Sequence, residues 1–308
     1  MKSDLKLQTP KPFFERIRAL PELRISRNLF LVLLLFWGFV LCSVYLEQIT
    51  AWVIAILLRQ TGGDRSTDYD LELLMHTGLT VIPIALVFVC SRLIENRPCR
   101  TLFLTRRKCL PDYLCGLLLG FGMMTAVILI AWCSGAIRYE GLQTHMRPLM
   151  MILLPFGWLI QGFSEELICR GWLMTSVGTH YSTWLAVIIN AVCFALLHLG
   201  NDGISFFAIA NLILFSAAES LYVLRTGSLW GAAALHSVWN WAQGNFFGMQ
   251  VSGIPTGSSV FSFSQTEQAK WIGGGMFGLE GGAAATVVML AVIVILLLIP
   301  ARKYETEE

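Results

Sequence analysis

Eight stretches of this 308-residue chain are long, apolar and nearly free of charge: residues 29–46, 71–94, 113–133, 149–175, 182–199, 204–223, 228–247 and 283–300. About 20 apolar residues in helical geometry cross a hydrocarbon core of ~30 Å. The sequence therefore reads as all-α, a polytopic membrane helix bundle of about eight transmembrane helices. Apolar character continues past Glu47 to Leu58, so the first span is either longer and tilted or followed by an interfacial segment. The chain divides into a basic cytoplasmic segment (1–28), a single transmembrane domain (29–300) whose motifs fall at about 149–247, and a short cytoplasmic tail (301–308). It has no internal repeat, soluble second domain or low-complexity tail.

Charge then sets orientation. Hydrophobic residues make up 56% and charged residues 14%, against roughly 25% charged in a globular domain. A net charge of +2 is too small and too locally clustered to indicate nucleic acid. An even number of spans puts both termini on one side, and the positive-inside rule tests which. Lys2, Lys6, Lys11, Arg16, Arg18, Arg24 and Arg27 precede the first span, and Arg92, Arg97, Arg100, Arg106, Arg107 and Lys108 fill the second loop. Arg225, Arg302 and Lys303 lie on the same side, whereas the opposite loops hold Arg59, Arg65, Arg138, Arg147 and Lys270. Both termini are expected in the cytoplasm. The N-terminal stretch reads as a signal anchor, since no small-residue cleavage site follows the apolar run.

The eight cysteines form no C-x-x-C pair and no metal-ligand spacing, so they are expected to be free thiols. The loop at about 248–282, rich in Gly, Ser and Phe, either caps a cavity or is a flexible connector.

Three polar constellations interrupt the apolar spans. Ionisable groups in a bilayer are costly, face the bundle interior, and mark functional sites. The first is Gln161-Gly162-Phe163-Ser164-Glu165-Glu166-Leu167-Ile168-Cys169-Arg170. Glu166 and Arg170 stand i, i+4 on one helix face, and Glu165 points about 100° away. The spacing assigns Glu166 and Arg170 to a buried structural pair and leaves Glu165 chemically available. The second is Phe194 with His198, and the third His236 with Asn240, both at i, i+4. If spans four and five form a hairpin turning near Tyr181, Glu165 and His198 reach one depth, about 24 Å from the turn. His236, counted from Arg225, falls about 8 Å short of it.

A carboxylate and a neutral imidazole at one level can share a water, one as general base and the other as its orienter or as a general acid. A second His with an Asn supplies donors suited to an oxyanion. Hydrolysis is the natural reaction class. Asn190, Asn211 and Glu219 read as packing or supporting groups, and His76, His145 and His180 carry no expected role. The same residues also fit a non-catalytic scaffold or immunity protein, or a proton-coupled transporter.

Glu-Glu-x-x-x-Arg at 165–170, Phe-x-x-x-His at 194–198 and His-x-x-x-Asn at 236–240, with Phe215 and Arg225-Thr226-Gly227-Ser228-Leu229-Trp230 between the last two, resemble the CPBP family of intramembrane proteases. That family includes the type II CAAX prenyl endopeptidases and many prokaryotic members grouped as abortive-infection or bacteriocin-immunity proteins. The resemblance covers about 149–247. It implies a polar cavity in which Glu165 and His198 activate water for peptide hydrolysis, with His236 and Asn240 as the oxyanion site. Glu166 then supports His198 or pairs with Arg170. Ala218-Glu219 departs from the glycine usual near Phe215. The resemblance leaves metal use open: Glu165, His198 and His236 would make a three-ligand zinc set, but H-E-x-x-H is absent, and no obligatory cofactor is expected. The implied partners are the bilayer and a membrane-associated peptide or protein, cut near its C-terminus, at a prokaryotic cytoplasmic membrane; whether it is prenylated is open.

Overall fold

The computed structural model describes residues 11–20, 22–60, 68–106, 108–300 and 302. The basic residues Lys2, Lys6, Arg65, Arg107 and Lys303, and the 301–308 tail apart from Arg302, lie outside the described residues.

A short amphipathic helix, α1 (Lys11–Arg18), precedes α2 (Leu29–Gln60). Next come α3 (Tyr69–Leu79) and α4 (Val81–Val89), which continue through a π turn at Cys90–Ile94, then α5 (Cys109–Cys133) and strand β1 (Ile137–Leu142). Helix α6 (Pro148–Glu166) passes through a π-helical segment, Leu167–Met174, into α7 (Thr175–His180). The hairpin partner α8 (Thr183–Leu197) is followed by α9 (Phe206–Thr226), α10 (Leu229–Trp241), β2 (Phe261–Gln265), α11 (Lys270–Gly273) and α12 (Ala283–Leu298).

All eight expected segments are helical, and among the described residues five helical runs are long and apolar enough to cross a membrane: Leu29–Ile56, Tyr69–Ile94, Cys109–Cys133, Pro148–His180 and Phe206–Thr226. They make the chain an integral membrane protein. The 15 residues of α8 rise only about 22 Å, and α12, with 16 residues, is comparably short, whereas α10 continues through a π-helical segment, Ala242–Phe246. Segment 248–282 packs against the end of α8 and the start of α9. Asn201 Nδ2 donates to Ser252 O at 2.9 Å, and Asn211 Nδ2, five residues into α9, donates to Glu280 O and Gly282 O, each at 2.8 Å. Gly203 (φ +73°) lies so close to Met276 and Phe277 that a side chain there would strike their backbone. The segment is thus packed against the end of the bundle through its stretches at 251–253 and 277–282, which are largely buried, while Trp271 and Met276 stay exposed.

The chain is also not purely helical. Strands β1 and β2 pair antiparallel, Ile137 opposite Gln265 and Leu142 opposite Phe261. At this end Asp68 caps α3 and accepts from Arg147 at 2.5 Å. That guanidinium holds the Asp68 carboxyl below its ordinary range. Neighbouring Asp70, 4% exposed, accepts from Ser258 N at 2.6 Å and Ser258 Oγ at 2.7 Å. Buried acceptors matched by donors in this way fix three connections to one another.

At the opposite end the basic second loop folds inward. Arg97, 1% exposed, donates to Thr101 Oγ1 at 3.0 Å, to Ser176 Oγ at 2.9 Å and to Thr175. Trp172 Nε1 donates to Glu95 at 2.9 Å. Phe13 of α1 stacks on Phe103 with centroids 3.7 Å apart. All eight cysteines are free.

Small residues set how closely α10 packs. Side chains at Gly116 and Gly120 of α5 would collide with the Gly231 and Leu235 carbonyls, and one at Gly162 of α6 with Ser237. Without a hydrophobic drive between helices in lipid, close backbone approach supplies the association energy. Gly162→Leu should therefore cost at least ~1–3 kcal/mol as overpacking and lower the melting temperature in detergent. Gly38→Leu, which meets nothing within 4 Å, should leave it unchanged; equal melting of the two variants would contradict this packing.

Candidate active site

The register of the site follows from two turns. Ser182 caps α8 by accepting from Leu185 N at 3.2 Å, so the hairpin turns at Tyr181–Ser182, as the sequence suggests. The α9–α10 turn lies elsewhere: Leu229 N donates to Phe103 O at 2.9 Å, and the Leu229 side chain lies against Gly171. From that level Glu165 and His236 are six and seven residues distant. This offset removes the ~8 Å mismatch obtained by counting from Arg225.

Glu165, His198, His236 and Asn240 consequently line one cavity of about 250 Å³, while Glu166 and Arg170 lie behind its wall. Both the Glu166 and Arg170 side chains are 0% exposed, whereas that of Glu165 is 25% exposed. Glu166 Oε1 meets Arg170 Nη1 at 2.9 Å and His236 Nδ1 at 2.8 Å. The alternative support of His198 by Glu166 is not what the structure shows: its imidazole partner is His236. The Arg170 contact is ionic rather than an aligned hydrogen bond, and the guanidinium also lies 4.6 Å from the centre of the Phe194 ring, where the ring face attracts a cation. A π-helical segment begins directly after Glu166, and such irregular turns recur at functional sites.

His198 ends α8, and its Nδ1 lies 2.9 Å from Phe194 O. A carbonyl only accepts, so Nδ1 carries the proton and Nε2 keeps its lone pair. His236 also donates through Nδ1 to Glu166, and its Nε2 lies 3.6 Å from Glu165 Oε2. The imidazole nearest Glu165 is thus His236, with His198 across the same cavity.

Gln161 supplies a link that reading the sequence did not assign. Asn240 Nδ2 donates to Gln161 Oε1 at 3.0 Å, and Gln161 Nε2 donates to Glu165 Oε1 at 2.6 Å. One oxygen of Glu165 is anchored, and Oε2 is buried with no hydrogen-bond partner among the described residues. The signal was present in the i, i+4 spacing of Gln161 and Glu165. Three more ionisable residues line the cavity: Glu47 of α2, His76 of α3 and Glu280 of segment 248–282. His76, read as having no role, is therefore a wall residue. Glu280 accepts from Ser252 Oγ at 2.5 Å and Trp239 Nε1 at 3.4 Å. Burial pushes its carboxyl up, partly offset by Ser252, His198 and Trp239.

Of the residues read as packing groups, Asn190 donates to Ser216 and Ser220, and Asn211 anchors segment 248–282. Glu219 is 2% exposed, and neither of its oxygens has a hydrogen-bond partner among the described residues. Glu165, His198 and His236 share the cavity without converging: among the described residues no group of three His, Cys, Asp or Glu is placed to hold a metal ion.

Removing one member of a buried ion pair strands the other. Arg170→Ala should destabilise the protein by about 3–5 kcal/mol, measured by denaturant unfolding in micelles. An effect below ~1 kcal/mol would show that Glu166 does not need its partner.

No curated protein matches the chain in sequence. One family model does, and its boundaries, residues 147–242, enclose α6 through α10 with Gln161, Glu165, Glu166, Arg170, His198, His236 and Asn240. Over those residues the chain is similar to the family described as type II CAAX prenyl endopeptidase Rce1-like.

Proposed function

We propose that the protein is an intramembrane endopeptidase that hydrolyses a peptide bond of a membrane-associated protein or peptide, with Glu165 and His198 activating the water. The observation that carries this reading is the unpartnered Oε2 of Glu165, in one cavity with a His198 whose Nε2 keeps its lone pair. Gln161 fixes the other oxygen of Glu165, so Oε2 is the one that takes a proton. A water between Oε2 and His198 Nε2 gives its proton to the carboxylate as its oxygen attacks the scissile carbonyl. The carbonyl becomes an oxyanion, which the second N–H of Asn240 and a protonated His236 Nε2 receive. The proton held by Glu165 then passes to the leaving amine, so charge balances over the cycle without a covalent intermediate.

Glu166 and Arg170 position His236 and touch no reacting atom. The separation of Glu165, His198 and His236 favours hydrolysis without an obligatory metal: full activity in a strong chelator agrees with this, and activity lost and restored by Zn²⁺ contradicts it. Both termini face the cytoplasm in this reading, on the strength of the basic residues clustered before the first span and in the second loop.

Glu165→Ala and His198→Ala should each lower cleavage by at least ~10²-fold with melting temperatures close to wild type. The direct assay co-expresses wild type or Glu165→Ala with membrane-anchored candidate peptides and scores by mass spectrometry which species accumulates uncut only with the variant. Retained cleavage in Glu165→Ala overturns the mechanism.

A further inference from the structure

The charges of the cavity point to what it accepts. Three carboxylates line it, each from a different element: Glu47 from α2, Glu165 from α6 and Glu280 from segment 248–282. Among the described lining residues there is no lysine or arginine. The nearest guanidinium, Arg170, is 0% exposed behind the wall and committed to Glu166. The donors that hold Glu280, a serine hydroxyl and an indole N–H, favour its ionised form against the burial that pushes its carboxyl up. Among the described residues Glu165 Oε2 has no hydrogen-bond partner, His236 Nε2 standing off at 3.6 Å, which leaves an acceptor for whatever enters. Two of the three carboxylates, Glu47 and Glu280, fall outside residues 147–242, and the water-activating chemistry uses neither.

Opposite charges in a cavity walled by apolar side chains attract far more strongly than in water, and like charges repel as strongly. A free C-terminal carboxylate beside the bond cut at Glu165 would meet three carboxylates and no lysine or arginine. A lysine or arginine side chain would meet three complementary acceptors. We infer that the cavity selects a peptide segment carrying a basic side chain next to the bond that is cut, with Glu47 and Glu280 as specificity residues, and that it disfavours cleavage beside a free C-terminal carboxylate. The inference rests on the hydrolytic reading for the position of the cut bond. It narrows the substrate from a peptide cut near its C-terminus to an internal, cationic site. The preference is additive over two separately mounted groups, so removing either should weaken it without abolishing it.

The test uses the full chain in phosphatidylcholine nanodiscs, with empty discs as the blank. Four dye-labelled apolar peptides are compared by fluorescence anisotropy: C-terminally amidated versions bearing a Lys, Ala or Glu pair, and the Ala version with a free carboxylate. The Lys peptide should bind at least tenfold more tightly than the Ala amide, with the Glu peptide and the free carboxylate weaker still. Glu47→Gln and Glu280→Gln should each reduce the Lys preference about threefold or more and leave Ala-amide binding and the melting temperature unchanged. Glutamine keeps an acceptor for Ser252 and Trp239, and if Glu280→Gln nevertheless melts early, Glu47→Gln decides alone. Equal binding of the Lys and Glu peptides, or an unchanged preference in the Gln variants, overturns the inference. Cleavage is scored in the same samples. Lys-selective binding with no cleavage of any peptide removes the peptidase reading and leaves the selectivity; cleavage without charge preference does the reverse.

Discussion

Glu166 Oε1 is the point on which the site is hung. A fully buried carboxylate is tolerated only where ionic and hydrogen-bonding partners replace the water it has lost, and here Arg170 and His236 share a single oxygen of it. That sharing ties α6 and the π-helical segment to α10. It also fixes which edge of His236 faces the cavity, because Nδ1 is committed and only Nε2 remains to meet Glu165. Gly162 permits the approach, since any larger residue would strike Ser237 one position beyond His236. The Glu166 oxygen and the absent Cβ act together: one supplies the directional bond, the other the distance at which it forms.

The region matched over residues 147–242 holds Glu165, His198, His236 and Asn240 but not the whole cavity wall. Glu47 and His76 come from helices before it, and Ser252 and Glu280 from the segment after it. That segment packs beside the end of α8 and the start of α9, where Asn201 and Asn211 secure its backbone. A wall built outside the matched region can change while Glu165, His198, His236 and Asn240 stay as they are. In the proposed reading, chemistry and selectivity are carried by different parts of the chain.

Much of this was legible in the sequence, and the reasons differ by residue. Charge within apolar runs marked Glu165, Glu166 and Arg170 because lipid gives such groups no other place, and i, i+4 spacing paired Glu166 with Arg170. Hairpin counting brought Glu165 and His198 to one level because their turn is short and capped by Ser182. The same counting misplaced His236, since the depth of the α9–α10 turn depends on Phe103 and Gly171, contacts that no local pattern encodes. Glu166 was given two partners and took Arg170 and His236 for the same reason. Hydropathy marked eight segments because it reports composition, and it does not tell which of the shorter helices are long enough to cross. The β1–β2 pair joins residues more than a hundred positions apart, beyond the reach of periodicity. Glu47 carried the same signal as Glu165, an ionisable residue in an apolar run, whereas Glu280 stands in a Gly-rich loop and carried none.

The account stands on direct attack by a water held between Glu165 and His198, and a single turnover in H₂¹⁸O tests it. Enzyme in excess over a membrane-tethered peptide is quenched after one cycle, and mass spectrometry reads both the new C-terminal carboxyl of the product and the enzyme peptide bearing Glu165. The mechanism predicts one ¹⁸O atom in the product and none in Glu165. Label in the Glu165 carboxyl, the mark of a covalent acyl intermediate, would contradict it.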